Sequence, residues 1–153
     1  MLEDRAEVKQ PPGKEEDMLL VMMMAMSFQP AGVKPDCDGN TLEINACFAE
    51  KLDRAENRLQ TYLQAAVDHN VNEDGKPSAV TLGIRSSQGA FEAYRDSECD
   101  AVYENWKEGT IRTVLTLDCR LILTNERTRT IWANWLHYAD NTPPILPEPA
   151  PIE

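Results

Sequence analysis

Apolar residues recur every three or four positions along three long stretches of the chain, which is the spacing of amphipathic α-helices. The first stretch runs from Thr41 to about His69, the second from Val80 to Trp106, and the third from Ile111 to about His137. No stretch alternates apolar and polar residues in the manner of a half-buried strand. The pattern therefore predicts an all-α fold of three long helices.

Each predicted helix has an apolar stripe that we expect to face a common core. In the first helix the stripe comprises Ile44, Phe48, Leu52, Ala55, Leu59, Tyr62, Leu63 and Ala66. In the second it comprises Val80, Ile84, Gln88, Phe91, Tyr94, Val102 and Trp106. In the third it comprises Ile111, Val114, Leu115, Leu121, Ile122, Trp132 and Trp135.

Local signals mark the ends of the predicted helices. Asn40 precedes the first helix and Glu43 follows three residues later, a spacing in which each side chain can accept a hydrogen bond from a free amide of the first turn. The turn-forming segment 70–78 ends this helix, and Gly109 separates the second helix from the third. The last two helices are therefore expected to form an antiparallel hairpin that turns at Gly109.

The four cysteines are Cys37, Cys47, Cys99 and Cys119, with no Cys-x-x-Cys pair and no nearby histidine, so they lack the spacing of a zinc or thiol-redox site. An even count favours disulfides, for which sequence allows three pairings. Cys99 lies ten residues before Gly109 and Cys119 ten residues after it, so an antiparallel hairpin brings the two thiols to the same height. We predict a Cys99–Cys119 disulfide, which leaves Cys37 to pair with Cys47.

The segment before Cys37 contains an apolar run, MLLVMMMAMSF, at residues 18–28. The run is too short for a membrane span but has the length of a signal-peptide core, so residues 1–35 are expected to be an acidic leader with an export signal, removed or disordered. An acidic start is unlike such signals. Two alternatives stay open: a true start at Met18, or a short buried helix that belongs to the domain. Export places the protein in the periplasm or outside the cell, without stable membrane insertion after processing.

The formal net charge of −11 and the pI of about 4.6 disfavour binding to nucleic acid or anionic lipid, because both need an excess of lysine and arginine. A basic protein is the natural partner for such a surface, although an acidic balance is also common in proteins that are merely well solvated. No glycine-rich phosphate loop is present. The sequence therefore predicts no cofactor and no bound metal.

Candidate catalytic groups are sparse. His69 and His137 lie near predicted helix ends, where a cation suits the helix dipole, and the carboxylates fall mainly on exposed helix faces. Arg95 and Asp96 interrupt the apolar stripe of the second helix, which indicates either a paired buried charge or a residue that contacts a partner. The chain is therefore predicted not to be an enzyme. An enzymatic site would require both histidines and a carboxylate to converge.

The C-terminal segment, NTPPILPEPAPIE at residues 141–153, cannot continue a helix because its prolines lack amide donors. It is expected to be extended or disordered, and a polyproline II ligand role stays open. The domain prediction treats residues 140–153 as a disordered proline-rich tail.

Several motifs together resemble the LprI-like lysozyme-inhibitor family over about Cys37 to Leu136. They are the spacing Cys37-x9-Cys47, the segments LDRAENRLQTYLQAA and SSQGAFEAYRDSEC, the Gly109-Thr110 turn, Cys119, and LTNERTRTIW. The positions that match the family pattern, besides the cysteines, are Gln88, Phe91, Arg95, Asp96, Gly109, Thr124 and Arg127.

The resemblance implies a small exported helical domain at residues 36–139, without enzymatic activity. It further implies inhibition of lysozyme by stoichiometric binding, with lysozyme or another basic protein as the partner. The alternative is a periplasmic structural or interaction domain that docks on a different protein through exposed aromatic residues such as Trp106, Trp132 or Trp135.

Overall fold

The computed structural model describes residues 37–153, which form three α-helices and no strand. Helix α1 spans Thr41–His69, α2 spans Ala79–Asn105 and α3 spans Arg112–Trp135. The predicted all-α fold of three long helices is confirmed, and α3 ends slightly earlier than expected. The predicted leader and export signal at residues 1–35 lie outside the described residues. No helix within residues 37–153 has the length and apolarity that a bilayer span requires.

The helix ends follow the predicted local signals. The Asn40 side chain accepts hydrogen bonds from the amides of Leu42 and Glu43 at 3.0 and 3.2 Å, and the Asn40 amide donates to Glu43 Oε2 at 2.8 Å. This capping box satisfies amides that the first turn leaves free. At the start of α2, the Ser78 hydroxyl accepts from the Thr81 amide at 3.1 Å. The three helices are thus separated by two short turns, which reverse the chain twice.

Two disulfides join the helical framework. Cys99 of α2 is bonded to Cys119 of α3, with a Cα–Cα distance of 5.7 Å, and Cys37 is bonded to Cys47 of α1, with a Cα–Cα distance of 5.4 Å. This is the pairing that the hairpin turning at Gly109 predicts. The Cys99 side chain has no solvent exposure, so the α2–α3 bridge is part of the packed interior.

The apolar core consists of two clusters with unequal contributions from the helices. The larger cluster comprises Leu59, Tyr62, Ala66, Val67, Ile84, Ile131 and Leu136, and the smaller comprises Leu52, Ala55 and Leu121. Residues late in α1 meet residues late in α3, and earlier residues meet earlier ones, so these two helices run parallel. Helix α2 contributes a single buried aliphatic residue, Ile84. Beyond Ile84, α2 is held by the partly buried Phe91, which packs against the larger cluster, by polar contacts and by the Cys99–Cys119 disulfide.

The predicted apolar stripes of α2 and α3 are wrong at five positions. The side chains of Val80, Tyr94, Trp106, Ile111 and Ile122 are exposed, each by two fifths or more of their area. In α2 the buried positions after Ile84 are Gln88 and Cys99, one polar and one bonded to α3. Polar contacts take the place of apolar packing along much of this helix. The pattern of apolar residues in the sequence does not show where this happens.

The C-terminal tail, residues 141–153, is extended, which is one of the two states predicted for it, and it is docked along α1 and α3 rather than disordered. Leu146 packs against the larger core cluster, Ile152 packs against the smaller one, and Pro149 is buried. The tail therefore adds apolar area to both clusters. The prolines of this segment exclude a helix. Whether the extended segment is bound depends on the surface of α1 and α3, which is formed by residues distant in the sequence.

Side chains of α1 and α3 hold the main chain of the tail by hydrogen bonds. Tyr62 Oη donates to the Pro147 carbonyl at 2.7 Å, and Trp132 Nε1 donates to the Leu146 carbonyl at 2.9 Å. Asn125 both donates to the Ile152 carbonyl at 3.1 Å and accepts from the Ile152 amide at 3.2 Å. These bonds recognise an extended backbone, which the proline-rich composition favours before binding.

Deleting residues 141–153 should lower the free energy of unfolding by about 2 kcal/mol. Full burial of one apolar side chain stabilises by about 1.5–3 kcal/mol. Pro149 is buried and Leu146 and Ile152 are partly buried, and the entropy of ordering the tail offsets part of their combined gain. Urea denaturation followed by circular dichroism measures the loss, with deletion of Glu153 alone as the control that leaves every described tail contact in place. An unchanged midpoint would show that the tail adds no stability.

Candidate functional site

The motif residues of α2 and α3 meet in a network of hydrogen bonds between the two helices. Arg127 Nε donates to Gln88 Oε1 at 3.0 Å, and Arg127 Nη2 donates to Ser87 Oγ at 2.9 Å. Gln88 is 5% exposed, so its amide is fixed by these contacts rather than by water. Burial lowers the pKa of the Arg127 guanidinium, which nevertheless keeps its charge at neutral pH because arginine is a very weak acid.

Arg95 extends the network to all three helices. Its Nη1 atom donates to Thr124 Oγ1 of α3 at 2.9 Å and to Glu56 Oε1 of α1 at 2.9 Å. The Arg95 side chain is 13% exposed, and Thr124 has no solvent exposure. Asp96 is more than half exposed and lies 3.7 Å from Arg120 Nη2. Both charges that interrupt the stripe are therefore paired, and Arg95 is the largely buried one.

Phe91 lies between the two guanidinium groups of this network. Its ring centroid is 5.7 Å from Arg95 Cζ and 5.6 Å from Arg127 Cζ. Both distances fall in the range of cation–π contact, which is stronger when the cation is partly desolvated. The aromatic motif position thus contacts both guanidinium groups of the network.

Beside the network, α1 and α2 diverge and leave an open polar slot of about 320 Å³. It is lined by Glu56, Leu59, Gln60, Gln88, Glu92 and Arg95. Gln88 Nε2 donates to Glu92 Oε1 at 3.0 Å, so the slot and the motif network share the Gln88 amide. Sequence reasoning missed Glu56, Gln60 and Glu92, because each reads as an ordinary solvated side chain. The one available signal was the four-residue spacing of Gln88 and Glu92 on a helix that carries the motif.

The family of the chain follows from comparison with known proteins. A family model described as "Lysozyme inhibitor LprI" matches residues 34–131. The chain belongs to this family. The matched region contains all four cysteines and every motif residue named above, whereas the docked tail lies outside it. No curated protein and no solved structure matches the chain.

In this LprI-family chain, the positions predicted to match the family pattern fall into two groups. Gln88, Phe91, Arg95, Thr124 and Arg127 converge in the network, and Asp96 lies at its margin. Gly109 lies apart, in the turn between α2 and α3, where its amide donates to the Trp106 carbonyl at 2.8 Å. A Cβ atom added to Gly109 would be 3.3 Å from that carbonyl oxygen, which is tighter than most real contacts. The network can hold the three helices together, and the slot is the surface next to it.

The two histidines and the three tryptophans make separate contacts of their own. His69 Nε2 lies 3.4 Å from Tyr138 Oη, while the His137 ring packs against Trp132 at 4.8 Å between centroids. Among residues 37–153, no group of histidine, cysteine and carboxylate side chains is arranged to hold a metal ion. Of the tryptophans considered for docking, Trp132 and Trp135 are partly buried against the core and only Trp106 is exposed.

Proposed function

We propose that this protein is an exported binding protein that inhibits lysozyme by forming a stoichiometric complex with it. The observation that carries the proposal is the family match over residues 34–131, which includes the four cysteines and the whole motif network. Inhibition by occupancy requires a surface that fits the enzyme and no catalytic group of its own.

Three features of the chain support this proposal. Both disulfides suit an oxidising compartment, where such bridges persist and where lysozyme meets the bacterial wall. The net charge of −11 steers the protein toward a cationic enzyme. The disulfides and the interhelix network also hold the surface in one shape, which lowers the entropy lost on binding.

The test is lysis of bacterial cell walls by a c-type lysozyme in the presence of the purified, oxidised protein. We expect lysis to slow in proportion to added protein until the two are equimolar, and the inhibition to weaken as salt rises, because screening shortens the reach of surface charge to about 8 Å at physiological ionic strength. Reduced and alkylated protein is the control. Unchanged lysis at a large molar excess of the oxidised protein would overturn the proposal.

A second candidate function is a structural or interaction domain with a different protein partner. Tyr103, Trp106 and Ile111 are all exposed near the α2–α3 turn, and exposed aromatic residues of this kind favour protein contacts. This function predicts no effect on lysozyme. Unchanged lysis at a large molar excess of the oxidised native protein would therefore favour this function over lysozyme inhibition.

A further inference from the structure

The slot between α1 and α2 carries an acidic group that the rest of the described chain leaves without a cation. Arg95, the slot's one basic residue, is already engaged, because it donates to Glu56 and to Thr124 at 2.9 Å each. Glu92 forms no ion pair within residues 37–153, and its one hydrogen bond there comes from Gln88 Nε2 at 3.0 Å. A carboxylate offers about four acceptor positions. Glu92 thus has acceptor capacity left for a ligand.

The position of Glu92 is fixed from inside the fold. Arg127 Nε donates to Gln88 Oε1 at 3.0 Å, and this fixes the amide whose Nε2 atom donates to Glu92. The chain of bonds begins on α3, crosses the nearly buried Gln88 of α2 and ends at the open slot. A side chain held in this way loses little entropy when a partner binds. On an exposed helix face, a glutamate without such support would have to be ordered at the moment of contact.

The size and lining of the slot match one kind of occupant. A volume of about 320 Å³ admits a long side chain, Leu59 provides an apolar wall for its methylene groups, and Glu92 and the Gln60 amide stand at the polar rim. With Arg95 paired to Glu56, the slot retains one uncompensated negative charge. Charge complementarity therefore favours a basic side chain.

We propose that the α1–α2 slot is the docking site for a lysine or arginine side chain of a basic protein partner, with Glu92 as the charged acceptor. This inference rests on the proposed function for the identity of the partner, which is lysozyme. The motif network then supports the contact from inside the fold: it joins α2 to α1 and α3 beside the slot and orients Glu92. The partner-binding residues are those at the rim rather than the motif residues themselves.

The test compares two charge reversals on the same helix. Glu92→Arg places a cation in the slot, whereas Glu98→Arg makes the same change of charge at an exposed residue that does not line it. We expect Glu92→Arg to raise the inhibition constant for a c-type lysozyme by tenfold or more, and Glu98→Arg to raise it by about twofold through weaker steering alone. Thermal unfolding of both variants checks that the fold is intact. Equal effects of the two variants would overturn the inference while leaving lysozyme inhibition established.

A second measurement keeps the inference testable if the native protein fails to inhibit lysozyme. Isotope-labelled protein is titrated with Nα-acetyl-arginine amide, and the side-chain amide signals of Gln60 and Gln88 are followed by NMR. We expect both signals to shift in the native protein and to stay unchanged in Glu92→Arg. Shifts without lysozyme inhibition would support the slot as a site for basic side chains and reject lysozyme as the partner. The absence of any shift at millimolar ligand would reject the slot itself.

Discussion

Replacing Cys99 and Cys119 with alanine should lower the free energy of unfolding by about 3 kcal/mol. The disulfide joins residues 20 positions apart, and the entropy of closing a loop of that size is what the unfolded chain regains when the bond is removed. The effect should be large here because α2 contributes only one aliphatic residue, Ile84, to the apolar clusters. Urea denaturation of the native and double-alanine proteins measures the difference.

Hydrogen exchange shows which part of the protein loses stability when this disulfide is removed, and removal of the other disulfide is the control. Amides of α2 between Arg95 and Asn105 should exchange faster in the Cys99→Ala, Cys119→Ala variant, because this half of the helix loses its covalent attachment to α3. The matched variant, Cys37→Ala with Cys47→Ala, removes a bridge of sequence separation 10 and should leave exchange in α2 unchanged. Equal exchange of α2 in all three proteins would show that polar contacts alone hold this helix.

The helices and their connections could be predicted because their signals are local. The capping box at Asn40 and Glu43 acts within one turn, and the three-to-four-residue spacing of apolar residues defines α1 closely. Equal distances from Gly109 to Cys99 and Cys119 also sufficed to predict the bridge between α2 and α3. In each case the feature is caused by a few residues that lie near one another in the sequence. A single sequence is therefore enough to predict it.

The burial of the α2 stripe and the docking of the tail depend on residues that are distant in the sequence. The local sequence pattern therefore did not predict them correctly. Tyr94 lies on the same helix as Ile84 and Trp106 directly follows its end, yet both are exposed, and a polar network takes the place of much of the expected apolar packing. The tail is bound because Tyr62 and Trp132 present donors to its carbonyls. Neither donor is distinguishable in sequence from an ordinary core aromatic.

The candidate site also contains residues that the sequence could identify and residues that it could not. Gln88 and Arg95 could be singled out because they match a family pattern, although the pattern does not say that they bind Arg127 and Thr124. Glu92 could not be singled out, because an exposed glutamate on a helix is usually only solvated charge. Its particular position follows from the divergence of α1 and α2, a feature of tertiary structure that no local spacing encodes.

Arg95→Met should lower the free energy of unfolding by about 2 kcal/mol, because hydrogen bonds to a charged group contribute about 1.5–3 kcal/mol when partly buried. Methionine retains the aliphatic length and the contact with Phe91, so the change removes mainly the bonds to Glu56 and Thr124. The buried Thr124 hydroxyl loses its donor, and α1 loses its polar link to α2. Urea denaturation at neutral pH measures the loss.

The control for Arg95→Met is Arg54→Met, which removes a guanidinium of the same charge from the surface of α1. Arg54 pairs with Glu50 at 3.7 Å with its side chain 45% exposed, so its removal should cost less than about 0.5 kcal/mol. Adding Thr124→Val to Arg95→Met completes a double-mutant cycle, in which a coupling of about 1 kcal/mol is expected for two residues in direct contact. If the two substitutions add without coupling, the Arg95–Thr124 bond contributes nothing to stability, and the joining of α2 to α3 must rest on the disulfide and on Arg127.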